Sequence, residues 1–425
     1  MTISIVLILF FVLLFIGMPI GFVILGASGV GIMAMGTNPM MMVQQLFGGM
    51  NSFTYLSIPF FIMAGDIAAE GLTSSRIIDL INAFLGRRRG GLGIATVIAC
   101  VFFGAITGSA IATVVAIGAF MMPKLLESGY PKTLVLGIIT AAGTLGVMIP
   151  PSIPMLTYSL AMNVSAGDMF TAGFVPGIMT AGLFCLYVYV IAARKNIPIT
   201  GEALTFKQKM KALVRSIWAI MFPVIVLGSI YGGLATPTEA AVISLFYVIL
   251  VELFVYKKVK LKDIPRLLVK SMISSATLTL TIAAAQVFVW YLTTSQVTTQ
   301  IYNALTGSFT SATVLMIVMA LLFLLVGCFT SVMTVCVILG PLIKPVLSFF
   351  GISLVQFGIS AIMMSQIGFL TPPFGYCLFV TMKVSKSSMG EVVKSTMPFL
   401  LIMLAAELLL LLFPQLSLAL GTLIG

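Results

Sequence analysis

The sequence predicts an all-α polytopic membrane protein made of two inverted repeats, each with five membrane crossings plus one re-entrant hairpin. Three observations predict it. Of 425 residues, 60% are hydrophobic and 8% charged, with a mean hydropathy of +1.21; a soluble globular chain carries about 25% charged residues. Apolar segments of spanning length follow one another along the chain, and at roughly 20 residues per crossing there is room for ten to fourteen. Four groups of glycine, proline and hydroxyl residues recur in order at a nearly constant offset.

Composition also excludes function classes. There is no histidine, so the commonest general base and metal ligand is missing, and Cys/His zinc spacings cannot occur. Cys100, Cys185, Cys328, Cys336 and Cys377 lie in apolar runs at irregular spacing, so no disulfide framework is implied. No GxxxxGK[ST] phosphate loop is present, which directs any pumping toward an ion gradient or a partner. The net charge of +11 reads as membrane topology. The N-terminus, Met1-Thr-Ile-Ser-Ile-Val, lacks a positive n-region and is expected to be a retained span rather than a cleaved signal peptide.

The apolar segments fall near 3–17, 19–36, 54–70, 92–108, 110–126, 132–162 and 169–193. After a basic stretch from Arg194 to Arg215 they resume near 216–235, 238–256, 271–293, 312–328, 331–349, 354–382 and 391–413. This divides the chain into a first repeat (1–193), a basic linker expected in the cytoplasm (194–215) and a second repeat (216–425). Gly104-Ala-Ile-Thr107 answers Gly327-Cys-Phe-Thr330. Gly146-Val-Met-Ile-Pro150-Pro151 answers Gly368-Phe-Leu-Thr-Pro372-Pro373, Ser165-Ala-Gly-Asp168 answers Ser388-Met-Gly-Glu391, and Pro176 answers Pro398. The offsets, 222 or 223 throughout, mark an internal duplication.

Basic residues orient the halves. With 194–215 and 257–270 in the cytoplasm, and with 92–126 and 312–349 entering and leaving on one side, each half crosses five times. Both termini then emerge outside, and of 22 Lys and Arg only Lys344 falls outside. An odd number of crossings inverts one half relative to the other, the pattern of secondary transporters with a site at the repeat interface. Two full spans would also return to the same side, so parity alone does not select hairpins. The tips favour them: Gly104-Ala-Ile-Thr-Gly108-Ser109 and Gly327-Cys-Phe-Thr330-Ser331 carry no charge, Pro, Asn or Asp, unlike water-exposed turns, and suit backbone held inside protein at membrane depth.

The paired prolines carry the chemistry. Within a helix, proline has no N–H and leaves the carbonyl four residues back without a partner. Pro150 and Pro151 would free the carbonyls of Gly146 and Val147; Pro372 and Pro373 those of Gly368 and Phe369. These must be satisfied inside the bilayer, and a bound cation can do so. Two pseudo-symmetric Na+ sites are expected. One draws on Thr107, Gly108, Ser109, Gly143, Thr144, Gly146 and Pro150, and the other on Gly327, Thr330, Ser331, Thr334, Gly368, Thr371 and Gly375. Two kinked, packed helices would show the same prolines, but two motifs at matched offsets, each following a hydroxyl-bearing tip, favour sites. Neither tip nor break contains an acid, and proton relays normally need one, so Na+ is favoured over H+. The breaks also create helix N-termini, with the prolines read as helix starts. Their positive dipole ends suit an anionic substrate beside Ser109, Ser152, Ser331 and Thr371.

Other features read structurally. Thr236-Pro237-Thr238-Glu239 is a helix start, as are Asp168 and Glu391, each three residues after a serine. Arg76 and Asp79 among Ile77, Ile78, Leu80 and Ile81 suggest an amphipathic surface helix. Asp66 and Glu70 read as solvated or paired. Glu407, within an apolar span, either meets a basic residue of a partner subunit or snorkels. The 28 methionines read as packing rather than copper ligands.

Phe103-Gly-Ala-Ile-Thr-Gly-Ser-Ala-Ile-Ala-Thr113, Gly143-Thr-Leu-Gly-Val-Met-Ile-Pro-Pro-Ser-Ile-Pro154 and Gly368-Phe-Leu-Thr-Pro-Pro-Phe-Gly375 resemble the large membrane subunit of tripartite ATP-independent periplasmic (TRAP) transporters, across essentially the whole chain. The resemblance implies import of organic acids across a bacterial inner membrane, driven by Na+, by an elevator motion of a transport domain against a scaffold. The scaffold is expected near 3–36, 169–193, 216–256 and 391–413. It implies two partners: a small four-helix membrane subunit, expected as a separate chain, and a periplasmic substrate-binding protein. Overall likeness leans toward the sialic acid type, with a C4-dicarboxylate next; no residue decides it. An ion channel, a membrane enzyme and a proton-coupled carrier remain as alternatives. A channel filter is usually built by symmetry between subunits, and an enzyme would need acids or histidines at depth.

Overall fold

The computed structural model describes residues 2–51, 53–199 and 204–424, and every regular element among them is helical. The chain runs through α1 (Thr2–Phe15), α2 (Ile20–Ala34), α3 (Met40–Met50), α4 (Ser57–Glu70), α5 (Thr73–Leu85), α6 (Gly91–Thr107), α7 (Ala110–Glu127), α8 (Lys132–Leu145), α9 (Ile153–Met162) and α10 (Ala166–Arg194). It continues through α11 (Phe206–Tyr231), α12 (Pro237–Leu250), α13 (Ile264–Thr294), α14 (Val297–Ser308), α15 (Ala312–Gly327), α16 (Val332–Phe349), α17 (Leu354–Gly368), α18 (Tyr376–Ser385), α19 (Met389–Leu412) and α20 (Gln415–Ile424). A π-helical turn, Val251–Val255, extends α12.

Helix starts follow from local chemistry. A hydroxyl at the N-cap accepts a bond from one of the orphan N–H groups of the first turn. Ser109, Ser152, Ser165, Ser331, Ser353 and Ser388 all do this. Thr236 and Glu239 form the expected capping box, and Thr205 with Gln208 forms another. The amphipathic helix read around Arg76 is α5. Its N-terminus is capped from a distance: the buried Glu252 carboxylate accepts from Leu72 N (3.0 Å), Thr73 N (2.8 Å) and Thr73 Oγ1 (2.7 Å). Asp66 accepts from Ser271 Oγ (2.6 Å) and Glu70 pairs with Arg266 (3.4 Å), the structural role expected of both acids.

Among the described residues, seven helices are long and apolar enough to cross a membrane, or nine if each of two bent pairs is one span; α1, α2, α6, α15, α17 and α18 are shorter and apolar. Large apolar side chains such as Phe11, Phe15, Ile178, Phe246, Phe254 and Leu408 face outward, as lipid-facing surface does. The order of elements repeats: α5 through α10 and α14 through α19 start at 73, 91, 110, 132, 153 and 166, and at 297, 312, 332, 354, 376 and 389. Besides α5, read separately as an amphipathic surface helix, α3, α14 and α20 lie outside the apolar segments read from the sequence.

One group of helices holds both breaks: α6–α10 with α15–α19. The second arm of each hairpin lies against the short helix beyond the other half's break, α7 on α18 and α16 on α9. Of the remaining helices, α20 packs on α10, while α2, α3 and α4 pack against α13, α4 against α12, and α5 against α11. This corrects the expectation that 169–193 and 391–413 belong with the end helices. Helix α19 packs on α8 and α17, and α10 on α6, α9 and α19. The cause is close approach at small residues: a Cβ at Gly137 would collide with Ser395 O, and one at Gly177 would lie 3.1 Å from Met148 O. The Phe184 and Tyr187 rings of α10 then stack edge-on against Phe399 of α19, centroids 4.9 and 5.0 Å apart.

Candidate functional site

The first hairpin turns through three residues. Helix α6 ends at Thr107; Gly108 takes a left-handed φ of +62°, which glycine tolerates, and its N–H bonds Gly104 O at 2.8 Å. Ser109, extended, starts α7: its Oγ accepts from Ala112 N (3.2 Å) and its own N–H donates to Thr107 Oγ1 (3.4 Å). Thr107 and Gly108 are buried and Ser109 half-buried. A loop in water would not hide these groups, so the turn is backbone held within protein.

The first break follows α8. A 3-10 turn (Gly146–Met148) leads into extended Ile149, a cis Pro150–Pro151 bond and the N-cap Ser152. The pieces on either side meet at 46°. Tip and break touch. A Cβ on Gly104 would lie 2.6 Å from Gly146 Cα, and one on Gly108 would lie 2.6 Å from the Ile153 side chain. The tip therefore rests against the middle of the α8–α9 crossing, and the N-termini of α7 and α9 lie side by side there.

The second half repeats the arrangement. Ser331 Oγ caps α16 by accepting from Thr334 N (3.2 Å) and shares a bond with Thr334 Oγ1 (2.8 Å). A Cβ on Gly368 would lie 2.7 Å from Leu324 O and 2.8 Å from Gly327 C. The Tyr376 hydroxyl donates to Phe329 O (3.2 Å), and the Phe329 and Phe374 rings lie 5.1 Å apart. Pro372–Pro373 is also cis. The glycines matched by sequence offset thus meet in pairs, Gly104 with Gly146 and Gly327 with Gly368.

Two expectations are corrected. The paired prolines do not begin helices: α9 starts at Ile153 behind Ser152, with Pro154 as its second residue, and α18 starts at Tyr376 behind Gly375. The proline pairs sit in non-helical links, an extended one at the first break and a turn at the second, where the missing N–H breaks no helical bond. Nor are the four carbonyls bare. Gly146 O accepts from Ile149 N (3.3 Å), Val147 O from Ser152 Oγ (2.6 Å), Gly368 O from Thr371 N (3.0 Å) and Phe369 O from Cys377 N (3.2 Å). Each carbonyl has two lone pairs, so one acceptor position per oxygen remains for a ligand.

Hydroxyls follow the same logic. Ser152 gives its proton to Val147 O, and Thr371 gives its own to Ile367 O (2.8 Å), leaving lone pairs to coordinate. Thr144 gives its proton to Ala141 O (2.8 Å) and faces Met403 Sδ of α19 (3.9 Å), so the structure does not bring it to the tip. Gly143 sits where a Cβ would collide with Val114 of α7. Gly375 is buried, its N–H bonded to Thr371 O (3.1 Å), and Thr330 is half-buried at its tip.

Sequence reasoning passed over Gln366. It is 1% exposed, one turn from the second break, and its Oε1 has no partner among the described residues; an amide inside the 354–382 run was the available signal. Lys344, the one basic residue placed outside, donates to Met162 O (2.6 Å) at the C-terminus of α9, a cation on the negative end of a helix. The tips and breaks hold no charged side chain, so an anion there meets helix N-termini, hydroxyls and any bound cation. A cavity of about 900 Å³ opens elsewhere, where Tyr55, Asn163, Asp168, Tyr231 and Gln286 converge; none of the expected ligands lines it.

Comparison with known proteins gives consistent matches. Residues 7–416 match the family described as tripartite ATP-independent periplasmic transporter, DctM component. The chain is 36% identical to the C4-dicarboxylate TRAP transporter large permease protein DctM of Pseudomonas aeruginosa, over 90% of this chain and 89% of that one. It is 34% identical to the ectoine/5-hydroxyectoine TRAP transporter large permease protein UehC of Ruegeria pomeroyi, over 96% of each. Among solved structures, the YdaH transporter of Alcanivorax borkumensis shares the fold, with a TM-score of 0.66 at 17% identity over 86% of both chains.

Proposed function

The chain belongs to the TRAP transporter large permease family, a family of multi-pass membrane permeases for organic acids and related solutes, and from that premise we propose that it imports an organic acid anion by Na+ symport. The observation that carries this reading is the paired contact of Gly104 with Gly146 and of Gly327 with Gly368. In each half it sets a hydroxyl-bearing hairpin tip against interrupted main chain, beside helix N-termini. Carbonyl and hydroxyl lone pairs suit Na+, and helix N-termini suit a carboxylate. Two inverted repeats, 1–193 and 216–425, would then supply one Na+ site each, using the residues assigned above except Thr144, which faces Met403 instead. The substrate would sit between Ser109, Ser152, Ser331 and Thr371.

In this reading the group α6–α10 with α15–α19 is the moving body of an elevator. Helices α4 and α5 beside α6, and α13 and α14 beside α16, line its sliding seam. Both termini are periplasmic and the basic linker 194–215 is cytoplasmic, in a bacterial inner membrane. A small four-helix subunit and a periplasmic binding protein complete the transporter. Sialic acid and a C4-dicarboxylate are the two cargos to test first; the relatives matched carry differing solutes, so identity does not choose between them.

The test is uptake of each labelled acid into proteoliposomes holding the chain with its small subunit and binding protein, under a Na+ gradient. Saturable uptake that disappears when choline replaces Na+ is expected. Uptake that persists in choline and follows an imposed pH gradient would favour a proton-coupled carrier instead.

A further inference from the structure

Helices α17 and α19 bury an acid between them. Glu407 on α19 is 2% exposed; the Ser360 hydroxyl of α17 donates to its Oε1, and its Oε2 has no partner among the described residues. This corrects both sequence readings of Glu407, since it neither snorkels nor points out to a partner subunit. One turn along, Gln356 Nε2 of α17 donates to Leu410 O of α19 (3.4 Å). The two bonds make a short polar seam inside an otherwise apolar interface.

No cation reaches this carboxyl from any element packed on α19. Helices α15, α17 and α20 carry no charged residue. Lys132 of α8 pairs with Glu391 at 2.9 Å, sixteen residues before Glu407, about 24 Å along a helix. Lys394 and Lys383 lie toward that same end. Helix α10 offers Asp168 in its first turn and Arg194 in its last. Asp168 lines the same cavity as Gly421 of α20, the helix that follows α19, so it is the acid, not Arg194, that lies toward Glu407. The uncharged titratable groups of α10 and α18, Cys185, Tyr187, Tyr189, Tyr376 and Cys377, supply no positive charge. An ionised carboxylate with one hydrogen bond and no counter-charge is the costly form of a buried acid. A metal cation would need several oxygens, and the seam supplies one hydroxyl beside the carboxyl.

We propose that Glu407 is a proton-binding site: the carboxyl is held neutral between α17 and α19, with its proton on Oε2 and Ser360 donating to Oε1. The site is sealed, so the proton leaves only if α17 and α19 part. Separation of the seam would therefore exchange a proton, independently of which ion drives transport.

Infrared spectroscopy of the full chain in lipid tests this without any transport assay, so its outcome is separable from the Na+ reading. The wild-type minus Glu407→Gln difference spectrum at neutral pH is expected to contain the carbonyl band of a protonated carboxyl. Ser360→Ala, which removes one hydrogen bond, is expected to shift that band and serves if Glu407→Gln does not fold. A difference spectrum showing only carboxylate bands, or a Ser360→Ala spectrum in which no protonated-carboxyl band moves, would overturn the proposal.

Discussion

At the first break Pro150, Pro151 and Ser152 are buried, whereas at the second Pro372, Pro373 and Phe374 are exposed. The local main chain solves the same problem in both places. A glycine pair brings tip and break into backbone contact, and each carbonyl that proline would orphan finds a donor three to eight residues further on. What differs is the cover. The tip of the first hairpin and α10 enclose the first break, with Gly173 and Gly177 of α10 close against Met148 and Ile149. The second has chiefly its own tip, through the Phe329–Phe374 rings and the Tyr376 hydroxyl bond to Phe329 O. Repair of the hydrogen-bond ladder is thus a property of the motif, while access to it is a property of the packing around it.

The largest expected effect tests what the breaks share. Gly146→Ala and Gly368→Ala each drive a Cβ into facing backbone, which cannot rotate away, at a cost of about 1–3 kcal/mol. Both should abolish uptake and lower the thermal midpoint. Wild-type uptake by either variant would show that the contact of tip and break is not required in that half.

What the breaks do not share is tested next. In a background without the five native cysteines, Phe374→Cys should react with a water-soluble thiol reagent more than about tenfold faster than Ser152→Cys, since thiol reactivity follows exposure. Equal rates would erase the asymmetry. Smaller again, Thr107→Val and Thr330→Val should each raise the Na+ concentration for half-maximal uptake about fivefold, the loss of roughly 1 kcal/mol of ligation. An unchanged Na+ dependence in both variants would remove these hydroxyls from the sites. On stability rather than on transport, Ser152→Ala leaves Val147 O without its buried donor and should cost about 1–2 kcal/mol, read as a lowered unfolding midpoint. Thr371→Val, at a half-buried residue beside the exposed break, should cost less, and a reversed order would contradict the difference in cover.

Much of this was legible in the sequence because it is local. Ser109, Ser331, Ser165, Ser388 and Thr236 announce their helices through cap chemistry, and the glycines of the repeat mark the close approaches. The amphipathic α5 could be read because Arg76 and Asp79 give it a charged face; α14, at the corresponding place, has only Gln, Asn and Thr for a polar side and was passed over. The rest depends on tertiary packing. Nothing near Lys344 in sequence points to Met162 O, nothing near Glu252 points to the start of α5, and the crossing of α7 onto α18 and α16 onto α9 joins residues more than 150 positions apart. The rescue of the freed carbonyls was missed for a different reason: it depends on how the chain turns after the proline, which helix geometry alone does not specify.

The most direct measurement of the paired-site account is a cryo-electron microscopy map of the transporter with bound acid, recorded once in Na+ and once in choline. The account predicts one density peak per half in Na+, the first between Thr107–Ser109 and Gly146 and the second between Thr330–Ser331 and Gly368, both absent in choline. A map with the acid in place and both clefts empty in Na+ would contradict it.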